Sequence, residues 1–365
     1  MLHGKTVAVV VPAYNEETQI GQVLATMPAF VDRIVVVNDC SRDATEAVVR
    51  EFMRQDREGT ACHEALCDDL EETRYNRAEV LVRQIEQQEL QYFTPSEVVN
   101  DAPDTDRIIL INLLRNGGVG AAIARGYKWC KDYAIDCTAV MAGDGQMDPS
   151  ELESICLPVV GEGIDYVKGN RLIHRSAWLV IPKIRYFGNS ILSMLTKIAS
   201  GYWRVSDTQT GYTAISLAAL RALRLYKIYP RYGMPNDMLV KLNIAYCTLR
   251  EVEIKPVYNV GEVSKMNIRK VICTVSWLLC KCFFKRLWIK YLFKDFHPIF
   301  MLYNLSFLTL SVAGLLSLRL LCDFFSGQSW SFVVLLLFVF LSMSGFQFLL
   351  SAMWMDMQDN DRLYK

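Results

Sequence analysis

In AVMAGDGQMDP, residues 139–149, a run of small and apolar residues ends in Asp144, Gln146 and Asp148 before Pro149 forces a new direction. Asp144 and Gln146 lie on one side of an extended chain, because strand side chains alternate with period two. A carboxylate and an amide oxygen are hard ligands suited to Mg2+ or Mn2+, with the remaining positions left to water and phosphate oxygens. A metal held there would act as a Lewis acid on a departing diphosphate. A plain turn cap ahead of Pro149 would use the same Asp144 with no chemistry at all.

Such a carboxylate needs strands to carry it. Val7 to Val11 is a continuous β-branched run, the pattern of a parallel strand buried on both faces, and Tyr14, Asn15 and Glu16 follow soon after it. A helical spacing in TQIGQVLATM leads to a second run, Ile34 to Val37, ending in Asn38 and Asp39. This is a β-α-β unit, and in open α/β sheets ligands bind at the carboxyl edge of the strands. A further strand ends near Asn112, after which Gly117, Gly118 and Gly120 open a helix, where backbone amides can approach an anion closely. It is not a dinucleotide fingerprint, since G-x-G-x-x-G is incomplete and does not follow the first strand. Asp207 precedes a Thr/Gly turn, and Asp237 heads an amphipathic helix. Residues 51–106, rich in Glu, Gln, Asp and Arg, read as a solvated helical insertion.

Lys and Arg number 39 and so do Asp and Glu, which removes the bulk electrostatic case for a nucleic-acid partner. The 11 cysteines are scattered without a CxxC pair; Cys62-His63 with Cys67, and Cys280 with Cys282, come nearest to clusters. With no apolar leader before the first charges, reduced cytosolic thiols are expected rather than disulfides or zinc. A hydrophobic share of 52% is high for a soluble enzyme. Its source is two apolar stretches, 297–321 and 330–354, each long enough to span a bilayer. Lys281, Lys285, Arg286, Lys290 and Lys294 precede the first, so by the positive-inside rule its start is cytoplasmic and the short turn returns the tail to the same side.

In order, VVVPAYNEE, VVVNDCSRDAT, NGGVGAAIARGY, AGDGQMDP, GNR, SDTQTGY and GEVSKMNIRK resemble the motifs of family 2 glycosyltransferases of the GT-A fold, and more narrowly the polyprenyl-phosphate or dolichol-phosphate sugar synthases. The resemblance covers the chain except residues 51–106. It implies an α/β GT-A nucleotide-sugar-binding domain with a mostly parallel central sheet, plus a C-terminal transmembrane hairpin. The expected organisation is 1–264 for that domain with the 51–106 acidic helical insertion, 265–295 for a basic juxtamembrane interfacial segment, 296–355 for two transmembrane helices, and 356–365 for a cytoplasmic tail.

The resemblance further implies that Pro12, Ala13, Tyr14, Glu16 and Asp39 contact the nucleotide, Asp39 reading the base edge. It implies that Gly120 and its loop approach the nucleotide, that Asp144 and Gln146 hold Mg2+ or Mn2+, and that Arg171, Lys265 and Arg269 meet phosphates. The family commonly has Asp-x-Asp-x-Gln, and its first Asp is Ala142 here, so one carboxylate fewer is present. The partners implied are a UDP- or GDP-sugar, a polyprenyl phosphate and the membrane, with a homo-oligomer left open. The basic, Trp-bearing segments 174–204 and 265–294 would sit at the membrane interface. A lipid phosphate is already anionic, its second pKa being about 6, so it attacks with inversion and no general base. Two other functions fit the same residues. A saccharide hydroxyl acceptor would need a base, for which Asp237 is the candidate; a catalytically silent membrane scaffold would keep the fold alone. A processive polysaccharide synthase is disfavoured by the absence of a Gln-x-x-Arg-Trp motif and by having only two spans.

Overall fold

The apolar runs form the middle of one sheet. A computed structural model describes residues 1–56, 73–180, 183–257 and 268–365. In chain order it contains β1 (Val7–Ala13), α1 (Ile20–Ala25), β2 (Arg33–Asn38), α2 (Thr45–Gln55), α3 (Arg77–Gln88), β3 (Ser96–Val98), β4 (Ile108–Leu113), α4 (Val119–Asp132), β5 (Cys137–Val140) and α5 (Leu152–Glu162). Then follow β6 (Tyr166–Asn170), α6 (Ala177–Val180), α7 (Lys183–Ser200), β7 (Thr213–Ser216), α8 (Leu217–Ala222), α9 (Met234–Ile244), β8 (Leu249–Glu253), α10 (Ile268–Trp288), α11 (Pro298–Phe325) and α12 (Phe332–Asp361). The strand order is β3-β4-β2-β1-β5-β7-β6-β8. Pairings β1/β2, β1/β5, β2/β4 and β6/β8 are parallel, while β3/β4, β5/β7 and β6/β7 are antiparallel. This is the α/β, GT-A-like sheet, mostly parallel, that the motifs imply.

Both faces of the central strands are covered, which explains their unbroken apolar sequence. Ala8, Val10, Val35, Val37, Ile109 and Ile111 pack with Ile123 and Tyr127 of α4 and Leu239 of α9. Val7, Val9, Val11, Ile34, Val36, Ile108 and Leu110 point the other way, against Ile20 and Val23 of α1, Val49 of α2 and Ile155 of α5. Each side chain so buried contributes about 1.5–3 kcal/mol, and alternation locks the register, since a one-residue slip would exchange the two faces.

The insertion is narrower than its composition suggests. Helix α3 buries none of its residues, as a solvated helix should. Phe93, however, belongs to the core, and β3 adds a strand to the sheet through Ser96↔Leu113, Glu97↔Asn112 and Val98↔Ile111. The fully buried Arg33 donates to the carbonyls of Asp104 and Asp106. Asn100 accepts from Leu110 N at 2.8 Å and donates to Ile108 O at 2.8 Å. Polar side chains made residues 93–106 look like solvent-facing chain, but here they satisfy the backbone of a sheet edge. Cys62, His63 and Cys67 lie outside the described residues.

Helices α11 and α12 are long and apolar enough to cross a bilayer, and only 11% and 6% of their apolar windows are buried, unlike the core helices of a soluble domain. They touch closely: Ser306 Oγ donates to Gly345 O at 2.9 Å, and a Cβ on Gly345 would come within 2.7 Å of the Leu310 side chain, the small-residue packing of membrane helices.

The last ten residues do not form a separate tail. Helix α12 runs on to Asp361, and the buried Asp356 makes a two-pronged pair with the buried Arg286 of α10, at 2.8 Å on each prong. Asn360 Oδ1 accepts from Lys290 Nζ at 2.6 Å and from Asn243 Nδ2 of α9 at 2.7 Å. Leu249 N donates to Leu363 O at 2.7 Å and Lys365 N to Leu249 O at 3.0 Å, so the chain end lies along β8. Of the basic residues ahead of the first span, Lys281, Lys285 and Lys294 are exposed, whereas Arg286 and Lys290 are buried in this clamp. Their charges, expected at a membrane surface, face α12 instead.

Candidate functional site

Strands β1, β2, β4, β5, β6 and β8 run the same way, so their carboxyl ends, and the polar loops beyond them, share one edge. The loops after β1 and β2 are stitched together. Asn15, with φ 56°, donates its amide to Ser41 Oγ at 3.0 Å, and its Oδ1 accepts from Arg42 N at 2.8 Å. Glu16 N donates to Thr45 Oγ1 at 2.9 Å, and Ala44 N to Glu17 Oε2 at 2.8 Å. These bonds bring Pro12, Ala13, Tyr14, Glu16 and Asp39 to one place. The Tyr14 ring stays 40% exposed, a flat apolar surface beside a polar edge.

Asp39 spends its carboxylate inside the protein. Oδ1 accepts from Gly117 N at 2.6 Å and Oδ2 from Gly118 N at 2.8 Å. Burial pushes the Asp39 carboxyl above its ordinary value, and the two amides pull it back in part. Gly120 N donates to Pro230 O at 2.9 Å. The expectation that the amides of Gly117, Gly118 and Gly120 cradle an anion is therefore corrected: all three are already donating to the chain's own oxygens. The glycines serve packing. A Cβ on Gly120 would overlap the Tyr229 carbonyl oxygen and lie 2.9 Å from Pro230 C, and one on Gly118, at φ +87°, would lie 2.6 Å from Pro230 O. Gly120 is buried beneath this segment, which removes it from the nucleotide-contacting set.

The chain is not extended at Asp144. Strand β5 ends at Val140, and Gly145 turns with φ +72°, so the period-two argument fails there. Asp144 instead closes a turn on itself, its Oδ1 accepting from the backbone N of Gln146 at 3.0 Å. Both are half-buried at the carboxyl edge. Among the described residues no group of three or more His, Cys, Asp or Glu could hold a metal. One carboxylate in a tight turn, with an amide oxygen two residues on, fits a Mg2+ or Mn2+ ion that takes most of its ligands from water and a diphosphate. Asp148 is occupied separately, capping Ser150 N at 2.9 Å and facing Lys255 at 3.6 Å.

Arg171, just beyond β6, grips Asp207 in a fork: Nε to Oδ2 at 2.8 Å and Nη2 to Oδ1 at 3.2 Å. Burial alone would raise the Asp207 carboxyl, but Arg171 and then Lys168 hold it below its ordinary value. Glu251 of β8 accepts from Ser206 N at 2.9 Å and Asp207 N at 3.0 Å, and from Asn170 Nδ2 at 2.9 Å. Lys168, fully buried, donates to Thr210 O and sits opposite Glu251 in register. Burial lowers the Lys168 ammonium to about 8, against the pull of Asp207 and Glu251. Sequence reading passed over Lys168 and Glu251. The one signal was a lysine between Val167 and Gly169 in β6; Glu251 is one of three charged residues in β8, and the pairing of β6 with β8 was needed to join the two.

Asp237 is not placed as a base. It is 5% exposed, and its Oδ2 accepts from Tyr229 N at 2.8 Å and from Lys241 Nζ. Its Oδ1 faces Cys282 Sγ of α10 at 3.8 Å. The expectation that it serves a hydroxyl acceptor is corrected on this ground, since both oxygens are turned inward. Lys265 lies outside the described residues, as does the side chain of Arg269 in the first turn of α10.

Residues 8–64 match the family model described as glycosyl transferase family 2. The match takes in most of β1 and all of α1, β2 and α2. The chain is 26% identical over 255 residues to the UDP-N-acetylglucosamine–dolichyl-phosphate N-acetylglucosaminyltransferase of Methanococcus voltae, covering 70% of this chain and 86% of that protein. It is 25% identical over 258 residues to an uncharacterized protein of Methanocaldococcus jannaschii, covering 70% and 84%. Among solved structures it is similar to glucosyl-3-phosphoglycerate synthase from Mycobacterium tuberculosis in complex with Mn2+, uridine diphosphate and glucosyl-3-phosphoglycerate. That match has a TM-score of 0.45 at 16% identity, covering 78% of this chain and 80% of that one.

Proposed function

We propose that the protein is a membrane-bound, inverting family 2 glycosyltransferase that moves a sugar from a nucleoside-diphosphate sugar to a polyprenyl phosphate. The observation that carries the reading is the clamp between Asp356 and Arg286. An apolar hairpin that leaves the domain at Pro298 and is bound to it again at Asp356 suits an acceptor whose tail lies in a bilayer. The name of the Methanococcus voltae relative supports the same acceptor class and makes UDP-N-acetylglucosamine the first donor to test. The exposed Lys281, Lys285 and Lys294 favour a cytoplasmic catalytic domain.

In this reading the nucleotide rests on Pro12, Ala13, Tyr14 and Glu16; Asp39, expected to read the base edge, instead holds the glycine loop beside them with both carboxylate oxygens. Asp144 and Gln146 would hold Mg2+ or Mn2+, which when bound supplies positive charge beside the diphosphate. Arg171, fixed by Asp207, would offer the edge a preorganised cation, with Lys265 and Arg269 as further phosphate contacts. The acceptor phosphate oxygen forms a bond to the anomeric carbon, the bond from that carbon to the diphosphate breaks, and the nucleoside diphosphate leaves with the electron pair. The phosphate dianion has no proton to lose in this step, which agrees with the inward-facing Asp237.

The test is transfer of label from a panel of UDP- and GDP-sugars, with Mg2+ or Mn2+ and added polyprenyl phosphate, by membranes containing the protein. Acid-labile label that enters the organic phase only with metal and lipid phosphate is expected, and Asp144→Ala should abolish it. No organic-phase label from any donor would overturn the reading.

A further inference from the structure

A continuous set of contacts runs from the helix that leads into the hairpin to the loop that Asp39 holds. Helix α10 presents Cys282 to Asp237 Oδ1 at 3.8 Å. It also sets Leu278 against the start of α9, so closely that a Cβ on Gly233 would come within 2.5 Å of Leu278 Cδ2. Asp237 in turn holds the segment before α9 by accepting from Tyr229 N at 2.8 Å, and Lys241, bound to the same oxygen, also donates to Lys227 O at 2.7 Å. The segment held in this way supplies Pro230 O to Gly120 N at 2.9 Å and to Ala121 N at 3.4 Å. It also lies close over Gly118, where Pro230 O and Arg231 Cγ leave no room for a side chain. Gly117 and Gly118 donate to Asp39 from the other side.

At α10 the links are a thiol contact and close apolar packing; from Asp237 onward each is a backbone or charge-assisted contact, so little slack is available along it. The carboxylate at its centre has no opening to a substrate at 5% exposure. We propose that Asp237 is a positioning residue that ties α10 to the glycine loop at the head of α4, so that nucleotide affinity depends on how α10 is seated. The inference rests on the reading that the nucleotide binds at the β1–β2–α4 edge.

The experiment uses the full chain, purified in detergent and reconstituted in nanodiscs, with UDP and GDP as calorimetric probes in the presence of Mn2+. Asp237→Asn keeps an acceptor for Tyr229 N but loses the ion pair with Lys241. It should raise the nucleotide Kd about tenfold, the loss of one charge-assisted contact. Turnover at saturating donor should stay within about twofold of wild type, since no reacting atom is touched. Asp237→Glu should recover part of the affinity. Where Asp237→Asn does not yield folded protein, Lys241→Gln, which leaves the carboxylate and a donor in place, is read in the same way. Collapse of turnover with unchanged nucleotide Kd would make Asp237 a base and overturn the inference. A lower folded yield with unchanged Kd in the folded fraction would make it merely structural and overturn it too. Wild-type protein that binds neither UDP nor GDP would instead overturn the site reading on which the inference stands.

Discussion

The clamp between α10 and α12 can be tested quantitatively. Arg286 and Asp356 have side chains 1% and 0% exposed, and their two 2.8 Å contacts are joined by Tyr291 OH and Asn360 Nδ2 on Asp356 and by the carbonyls of Ala199 and Ile198 on Arg286. Asp356→Asn keeps the shape and removes the charge, leaving a buried guanidinium without its counter-ion, a change that costs about 3–5 kcal/mol. The sheet does not rest on this pair, so the loss should appear as local release of the end of α12 rather than global unfolding. At about 1.4 kcal/mol per decade, amide exchange in residues 356–365 should speed up by roughly two to three and a half decades, with β1, β2 and β4 unchanged. Arg286→Met alone should cost a similar amount. The double variant Arg286→Met with Asp356→Met should cost less than the sum of the singles, with a coupling on the order of 3 kcal/mol. It should not return to wild type, because the Ala199 and Ile198 carbonyls lose their donor. Unchanged exchange in Asp356→Asn, or single effects that simply add, would refute the argument that this pair seats the hairpin.

Three other outcomes follow from the same geometry. Gly120→Ala should destabilise the protein by about 2–4 kcal/mol in denaturant unfolding, because its methyl overlaps a backbone carbonyl and must push the 229–231 segment away from α4. Lys168 is charged in the unfolded chain up to its ordinary value of about 10.4 but loses its proton in the folded protein near 8. The unfolded state therefore binds more protons between those values, and stability rises with pH across that window. Measured against Lys168→Met, wild type should gain up to about 3 kcal/mol from pH 8 to 10.5, and no relative gain would refute the burial of that charge. Deleting residues 57–72 should leave a folded, active protein, whereas deleting 56–103 should yield insoluble chain, because it removes Phe93 and β3; soluble, active protein from the longer deletion would show β3 to be dispensable.

The sheet was largely legible in the sequence because its strands announce themselves locally. Val7 to Val11 and Ile34 to Val37 lie within β1 and β2, and the expected spans 297–321 and 330–354 fall within one residue of α11 or two of α12 at their starts. Grouping Asp39 and Asp144 on one edge needed only strand direction, whereas Arg171 entered through the family resemblance. What stayed hidden depended on partners far away along the chain. Gly118 and Gly120 resembled an anion cradle because nothing nearby announces that the chain more than a hundred residues later covers them. Asp237 looked like a base at a helix start, and its burial is decided by Lys241 and by Cys282 on α10. Asp356 and Asn360 read as part of a polar tail for the same reason, their partners being Arg286, Lys290 and Asn243.

The contacts of Asp237, Asp356 and Asn360 share one physical feature, a charged or amide side chain buried where an apolar residue would have been less costly to place. A hairpin attached only by packing could rotate or slide on α10, since apolar surfaces are tolerant of small shifts. A two-pronged Arg286–Asp356 pair has a single good geometry, and Asn360, reaching both Lys290 and Asn243, fixes the rotation of α12 about it. On the proposed function the two substrates would arrive from different phases, water and bilayer, and the height and tilt of the sheet edge over the membrane would decide whether the reacting atoms meet. Misplacement by about 1 Å can cost on the order of a hundredfold in rate. The desolvation cost of the clamp is thus offset in orientation rather than in stability, and a variant that repacks it with apolar residues should fold while losing transfer to a membrane-borne acceptor more than it loses nucleotide binding.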